Sequence, residues 1–317
     1  MPSSGTMKTG SRLAFVGCAI SADVSAGAGG GAGQAQAQGR REVVMNGKRV
    51  KTIDVHAHCI VPDAAKLINH PLEAPGLLWS NIGDRLAQMD HTGIDVEALS
   101  INPYWYRAER DAVADVIRVQ NAALAAFCAA QPERFVAFAT AALQYPDLAA
   151  AQVEHAVKTL GFRGVGVAGS VAGADLAHPK FHPFWAKCEA LGVLVFMHPL
   201  GTRELEPSGR LAGNGLLTNT IGNPLETTIA LSHLIFDGTL DRFPGLKICA
   251  AHGGGFLPSY ASRSDAVITT FPDRVGPLPK KKPTAYLRGG QLYFDSILTF
   301  PISGFDLCSC GFLAHPL

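Results

Sequence analysis

An α/β fold, a TIM-like (β/α)8 barrel missing its eighth strand, is what this sequence predicts, and three observations predict it. From residue 42 onward, apolar runs rich in Val, Ile, Ala and Phe alternate with segments whose apolar residues recur every three or four positions. His56, His58, His198 and His252 stand at the C-terminal ends of such runs, the rim where a closed barrel gathers its chemistry. The G-x-G-x-x-G turn that an open, doubly wound sheet places after its first strand is lacking.

The elements follow in order. Residues 1–41 are set apart as a leader: "MKTGSRLAFVGCAISA" joins Lys8 and Arg12 to a short apolar run, and "GAGGGAGQAQAQG" follows. These are the parts of an export signal, so a periplasmic location is one reading. A disordered low-complexity leader on a cytoplasmic protein is the other, and the one preferred. The barrel domain spans 42–296, and 297–317 form an atypical tail. Strands are expected at 50–58, 95–102, 134–143, 162–169, 193–199, 247–255 and 291–296, with helices at 82–93, 110–131, 147–161, 182–192 and 224–244. Several of these segments run into Gly or Pro, which terminate helices.

Composition narrows the function. A length of 317 residues with 47% hydrophobic content suits one large α/β domain or two smaller ones. Net charge is +1, and the only basic run, Lys280 to Lys282, lies in a proline-rich loop, which argues against a nucleic-acid partner. The seven cysteines are scattered and include no C-x-x-C, which argues against a disulfide scaffold or a cysteine zinc site. No unbroken apolar run reaches about 18 residues, so no membrane span is expected.

The chemistry concentrates in three places. In "KTIDVHAHC" strand alternation puts His56 and His58 on one face, with Asp54 at the same parity. Two imidazoles side by side make half of a metal site, or two ordinary buried histidines. "FMHP" ends a strand in His198, and three imidazoles on one rim form a catalytic metal shell with an open position. "CAAHGGGFLPSYASRSD" places His252, suited to proton transfer, before three glycines that admit a substrate close to the backbone. Arg263 follows on the next helix, as a carboxylate-binding fork or as a surface ion pair. Trp79, Tyr104, Trp105 and Phe256 are candidates to line a pocket, with core packing as the alternative for each.

Taken together, "IDVHAH", "GFRGVGV", "FMHP", the run from "GNPLETTIALSHLIF" to "AAHGGGFLPSYASR", and "YFDS" resemble the amidohydrolase superfamily, in its decarboxylase branch. The resemblance covers about residues 51–296, and its most specific part is 222–263. It implies His56, His58 and His198 as metal ligands and His252 as the catalytic histidine beside the metal. Arg263 would be a substrate-carboxylate binder reaching into a neighbouring subunit, which implies a homodimer. "FRGVGVAG" lacks the lysine of the two-metal members, so one divalent ion, Zn or Mn, is implied. The implied reaction is non-oxidative decarboxylation of an aromatic or unsaturated carboxylate. The alternatives are a lactonase-like hydrolase on the same scaffold and an inactive fragment.

Two departures from that branch bear on the expectation. No counterpart of the further substrate-binding arginine of the muconate-semialdehyde enzyme follows the first strand. The family's fourth ligand, an aspartate in a "GTD"-type turn after the eighth strand, has no match in "ILTFPISGFDLCSCGFLAHPL"; Asp295 matches a structural aspartate, and Asp306 lacks the context. A truncated barrel of poor stability and weak or absent activity is the resulting expectation.

Overall fold

The computed structural model describes residues 14–16, 40–72, 78–79, 82–202, 205 and 207–296. Two compact units divide the chain: Met1–Leu99 with Asp111–Ala137, and Ser100–Arg110 with Phe138–Leu317.

The first unit begins with β1 (Ala14–Val16), the hairpin strands β2 (Val44–Met45) and β3 (Lys48–Arg49), and β4 (Ile53–Ile60). Then come α1 (Pro62–Lys66), β5 (Leu78–Trp79), α2 (Ile82–Thr92), β6 (Val96–Ser100), α3 (Arg110–Ala130) and β7 (Phe135–Ala139). The β2–β3 turn is Asn46-Gly47, with φ of 51° and 75°, the left-handed pair that a two-residue hairpin requires. Strand order is β5-β1-β4-β6-β7. Residues 14–16 fall within the stretch read as a leader, yet they pair antiparallel with β4, Ala14 opposite Ile60 and Phe15 opposite Cys59. The rest of 1–39, and the tail 297–317, lie outside the described residues.

Asp95 ties the hairpin to this sheet. It accepts the Thr52 amide at 2.8 Å and Arg49 Nη2 at 2.6 Å, and it also pairs with Arg40. Burial alone would raise its carboxyl; the Thr52 amide and the two guanidinium groups outweigh burial and hold it below the usual carboxylate range. Deeper in, Glu97 on β6 accepts Arg85 Nε at 2.9 Å, and burial raises its carboxyl despite that partner. By length and composition α3 is the one helix among the described residues able to cross a membrane. A count of unbroken apolar runs misses it because charges interrupt them. Its stripe of Val113, Val116, Ile117 and Leu124 is buried, while Asp111, Asp115 and Arg118 are exposed, the pattern of a helix packed on one side.

The second unit carries α4 (Pro146–Lys158), β8 (Gly164–Val167), the small hairpin β9 (Ser170–Val171) and β10 (Ala174–Asp175), α5 (His182–Leu191) and β11 (Leu194–Met197). It continues with α6 (Asn223–Phe236), α7 (Thr239–Arg242), β12 (Lys247–Ala250), α8 (Leu257–Thr270), α9 (Pro283–Tyr286) and β13 (Leu292–Phe294). The end of β7, then β8, β11, β12 and β13, pair in parallel in that order. Proline occupies the first turn of α4, α5, α6, α8 and α9, where its missing N–H costs nothing. Gly164 lets β8 lie close to β11: a Cβ there would come within 2.2 Å of the Leu194 carbonyl. Phe138 and Phe196 stack with centroids 5.3 Å apart.

The seven strands expected from the sequence are β4, β6, β7, β8, β11, β12 and β13, each beside the next in chain order. A doubly wound sheet reverses its order at a switch point; neither β4-β6-β7 in the first unit nor β7-β8-β11-β12-β13 in the second does, which is the strand order of a (β/α)8 barrel. The helix expected over 224–244 is two helices, because Gly238 turns left-handed at φ 77° between α6 and α7.

Candidate metal centre

Each candidate ligand sits where a strand delivers it. On β4 the alternation brings His56 and His58 to one side, their rings edge-on with centroids 4.7 Å apart and 5% and 9% exposed. Asp54, on the same face by parity, takes a backbone role and accepts the His56 amide at 2.8 Å. His198 follows the last residue of β11. It is 7% exposed, and its amide still bonds to Val167 O at 2.8 Å, so the imidazole leaves from a strand that has not yet frayed. His56 and His58 in the first unit, and His198 in the second, are each a buried imidazole with a ring nitrogen to offer a metal ion. Imidazole nitrogens are the donor type that suits a divalent ion such as Zn or Mn.

His252 follows β12 by two residues, with its ring 5.1 Å from the His198 ring centroid to centroid. Its backbone is left-handed at φ 57°, and Gly253, Gly254 and Gly255 continue at 63°, 79° and 65°. A β-carbon at Gly254 would meet the Phe294 ring at 2.4 Å, and one at Gly255 the Pro224 carbonyl at 2.2 Å. The glycines are therefore a steric requirement of this turn as well as a conformational one. Asp295, just past β13, holds the turn by accepting the Gly253 amide at 2.8 Å.

Arg263 lies exposed on α8 and makes no ion pair among the described residues. Trp105 resolves to core: it is fully buried, and its indole N–H donates to Ala141 O at 2.9 Å. Tyr104 packs edge-on against Trp105 at 5.2 Å, and Phe256 leads into α8 with its amide on Thr228 Oγ1 at 2.7 Å. The side chain of Trp79 and the whole of Asp306 lie outside the described residues. β8, the strand where a bridging lysine would sit, reads Gly-Val-Gly-Val.

Sequence reasoning passed over Glu226. It stands 6% exposed on α6 and accepts hydrogen bonds from Ser170 Oγ, Leu200 N and Gly201 N. Its signal in the sequence was the single acid in "NPLETTIALSH".

Residues 53–286 match a protein family described as Amidohydrolase. Among curated proteins, the 2-amino-3-carboxymuconate-6-semialdehyde decarboxylase of Dictyostelium discoideum is 28% identical over 68% of this chain and 58% of its own length. The γ-resorcylate decarboxylase of Rhodococcus jostii is 32% identical over 60% of this chain and 64% of its own. The chain thus spans about three fifths of the length of these relatives. Among solved structures, 5-carboxyvanillate decarboxylase from Sphingomonas paucimobilis superposes with a TM-score of 0.65 at 26% identity, covering 77% of this chain and 78% of that one. A dihydroxybenzoic acid decarboxylase from Polaromonas sp. JS666, solved with bound manganese and the inhibitor 2-nitroresorcinol, gives 0.65 at 28% identity with the same coverage.

Proposed function

Because this chain belongs to the amidohydrolase family, we propose that it is a carboxy-lyase that removes CO2 without oxidation from an aromatic carboxylate. The observation that carries the reading is the buried pair His56 and His58, ring to ring at 4.7 Å on β4, with His198 and His252 paired at 5.1 Å in the second unit. One divalent ion, Zn or Mn, held there would supply Lewis-acid stabilisation of the substrate carboxylate and a neighbouring oxygen. The named activities of the relatives and the manganese of the Polaromonas structure support this choice of ion and of substrate class.

In this reading His252 moves the proton. It delivers it to the ring carbon that bears the carboxylate. The C–C bond to the carboxylate then breaks, its electron pair returns to the ring, and CO2 departs. The glycine turn brings substrate against bare backbone beside that imidazole. Arg263 acts in a second copy: its exposed guanidinium, with no ion pair among the described residues, suits a substrate carboxylate across a homodimer interface.

The test is elemental mass spectrometry of the purified chain, followed by assay of aromatic acids for CO2 release. About one Zn or Mn per chain, lost in His58→Ala and His198→Ala, is the expected result. Absence of metal, or ring-opening hydrolysis without CO2, overturns the proposal.

A further inference from the structure

We propose that Glu226 is a positioning residue for the metal centre, its buried carboxylate fixing the backbone that follows His198. The inference rests on the reading of His198 as a metal ligand and deepens it. Glu226 sits in the first turn of α6, where a negative charge is favoured. Its Oε2 accepts two successive amides, Leu200 N at 2.6 Å and Gly201 N at 2.7 Å. Its Oε1 accepts Ser170 Oγ at 2.9 Å. The donors come from the segments that follow β11 and β8, neighbouring strands, so one side chain ties both strand ends to the helix.

A carboxylate satisfies all of these donors at once. Both of its oxygens accept and share the charge, whereas a glutamine keeps one neutral acceptor for the two amides and requires the Ser170 hydroxyl to turn from donor to acceptor. Burying the charge is costly without partners, and the short bonds to two amides and a hydroxyl offset that cost. The consequence for His198 is geometric. Its own amide is held by Val167 O at 2.8 Å, Pro199 fixes the next φ, and Leu200 and Gly201 are then anchored on Glu226. The backbone is thus pinned on both sides of the imidazole before any ion binds. Gly169 packs against this carboxylate: a Cβ there would come within 2.8 Å of Glu226 Cγ and displace it.

Metal affinity of the full chain is the readout, from competition of Mn2+ and Zn2+ against a chromophoric chelator, with thermal melts of the metal-free protein alongside. Three variants separate positioning from bulk stability. Glu226→Gln removes the charge and one of the two acceptors, Gly169→Ala pushes the carboxylate aside with its charge intact, and Leu231→Ala weakens the same helix at a buried apolar position. The expected result is a loss of affinity of roughly 10- to 100-fold in the first two. The leucine variant melts earlier and keeps wild-type affinity. Should Glu226→Gln fail to fold, Gly169→Ala decides. Wild-type affinity in the folded variants at 226 and 169 overturns the positioning role. A wild-type chain that takes up no metal overturns the functional reading and this inference with it.

Discussion

At position 252 a histidine adopts the left-handed φ of 57°, a conformation that non-glycine residues seldom take and that persists only where the surroundings enforce it. Here the Asp295 carboxylate on the Gly253 amide and the close approach of Pro224 and Phe294 do so. Gly255→Ala is expected to destabilise the fold by about 2 kcal/mol or more, because its Cβ meets rigid backbone, and to abolish activity; urea unfolding checks the first and CO2 release the second. His252→Asn should fold and keep its metal while turnover drops by about 10²- to 10⁴-fold. Single residues were legible where their spacing declares a shared face, as in His56 and His58, or where a polar group ends an apolar run, as in His198. The left-handed turn was legible only as three glycines, and the strain on His252 was not, because neighbours from other elements impose it. Glu226 was hidden for a related reason. Its role comes from amides at residues 200 and 201, far along the chain, and a lone acid in a helix usually faces water.

Among the elements, the strands were read well because period-two alternation and buried Val-rich runs are local signals, while their ends were read too long. The run at 134–143 forms hydrogen-bonded strand only over Phe135–Ala139, and that at 247–255 stops at Ala250, where the chain turns into the glycines. The β2–β3 hairpin was not foreseen, although Asn46-Gly47 announces it. Its attachment through Asp95 has a pH signature. The Asp95 carboxyl is lowered from 3.8 in the folded state, so its stabilisation is fully present above that value and is lost as pH falls through the folded pKa. Asp95→Asn should therefore cost about 2 kcal/mol at neutral pH and flatten the acid limb of the stability curve below about pH 4, measured by denaturant titration across pH.

For the whole molecule, the proposed metal and the proposed dimer each have a measurable consequence. Stripping the ion with a chelator should lower the melting temperature by several degrees, since a ligand that binds only the folded chain stabilises it by mass action. Light scattering should give a dimer, and Arg263→Ala should raise KM at least tenfold while leaving metal content unchanged; a monomer with unaltered KM would remove that arginine from the site. The winding of the sheet follows from the βα alternation and was legible, but the strand at 14–16 was not. It is short, and its pairing on β4 uses backbone groups that any sequence possesses. That pairing bears on local stability. A three-residue strand has few bonds to break, so its opening free energy is small compared with global unfolding. Amide hydrogens of Cys59 and Ile60 that face β1 should exchange with deuterium orders of magnitude faster than those of Val195 to Met197, which lie between two parallel neighbours. The strand that carries two of the three imidazoles would then breathe along one edge while the strand leading to the third stays shut.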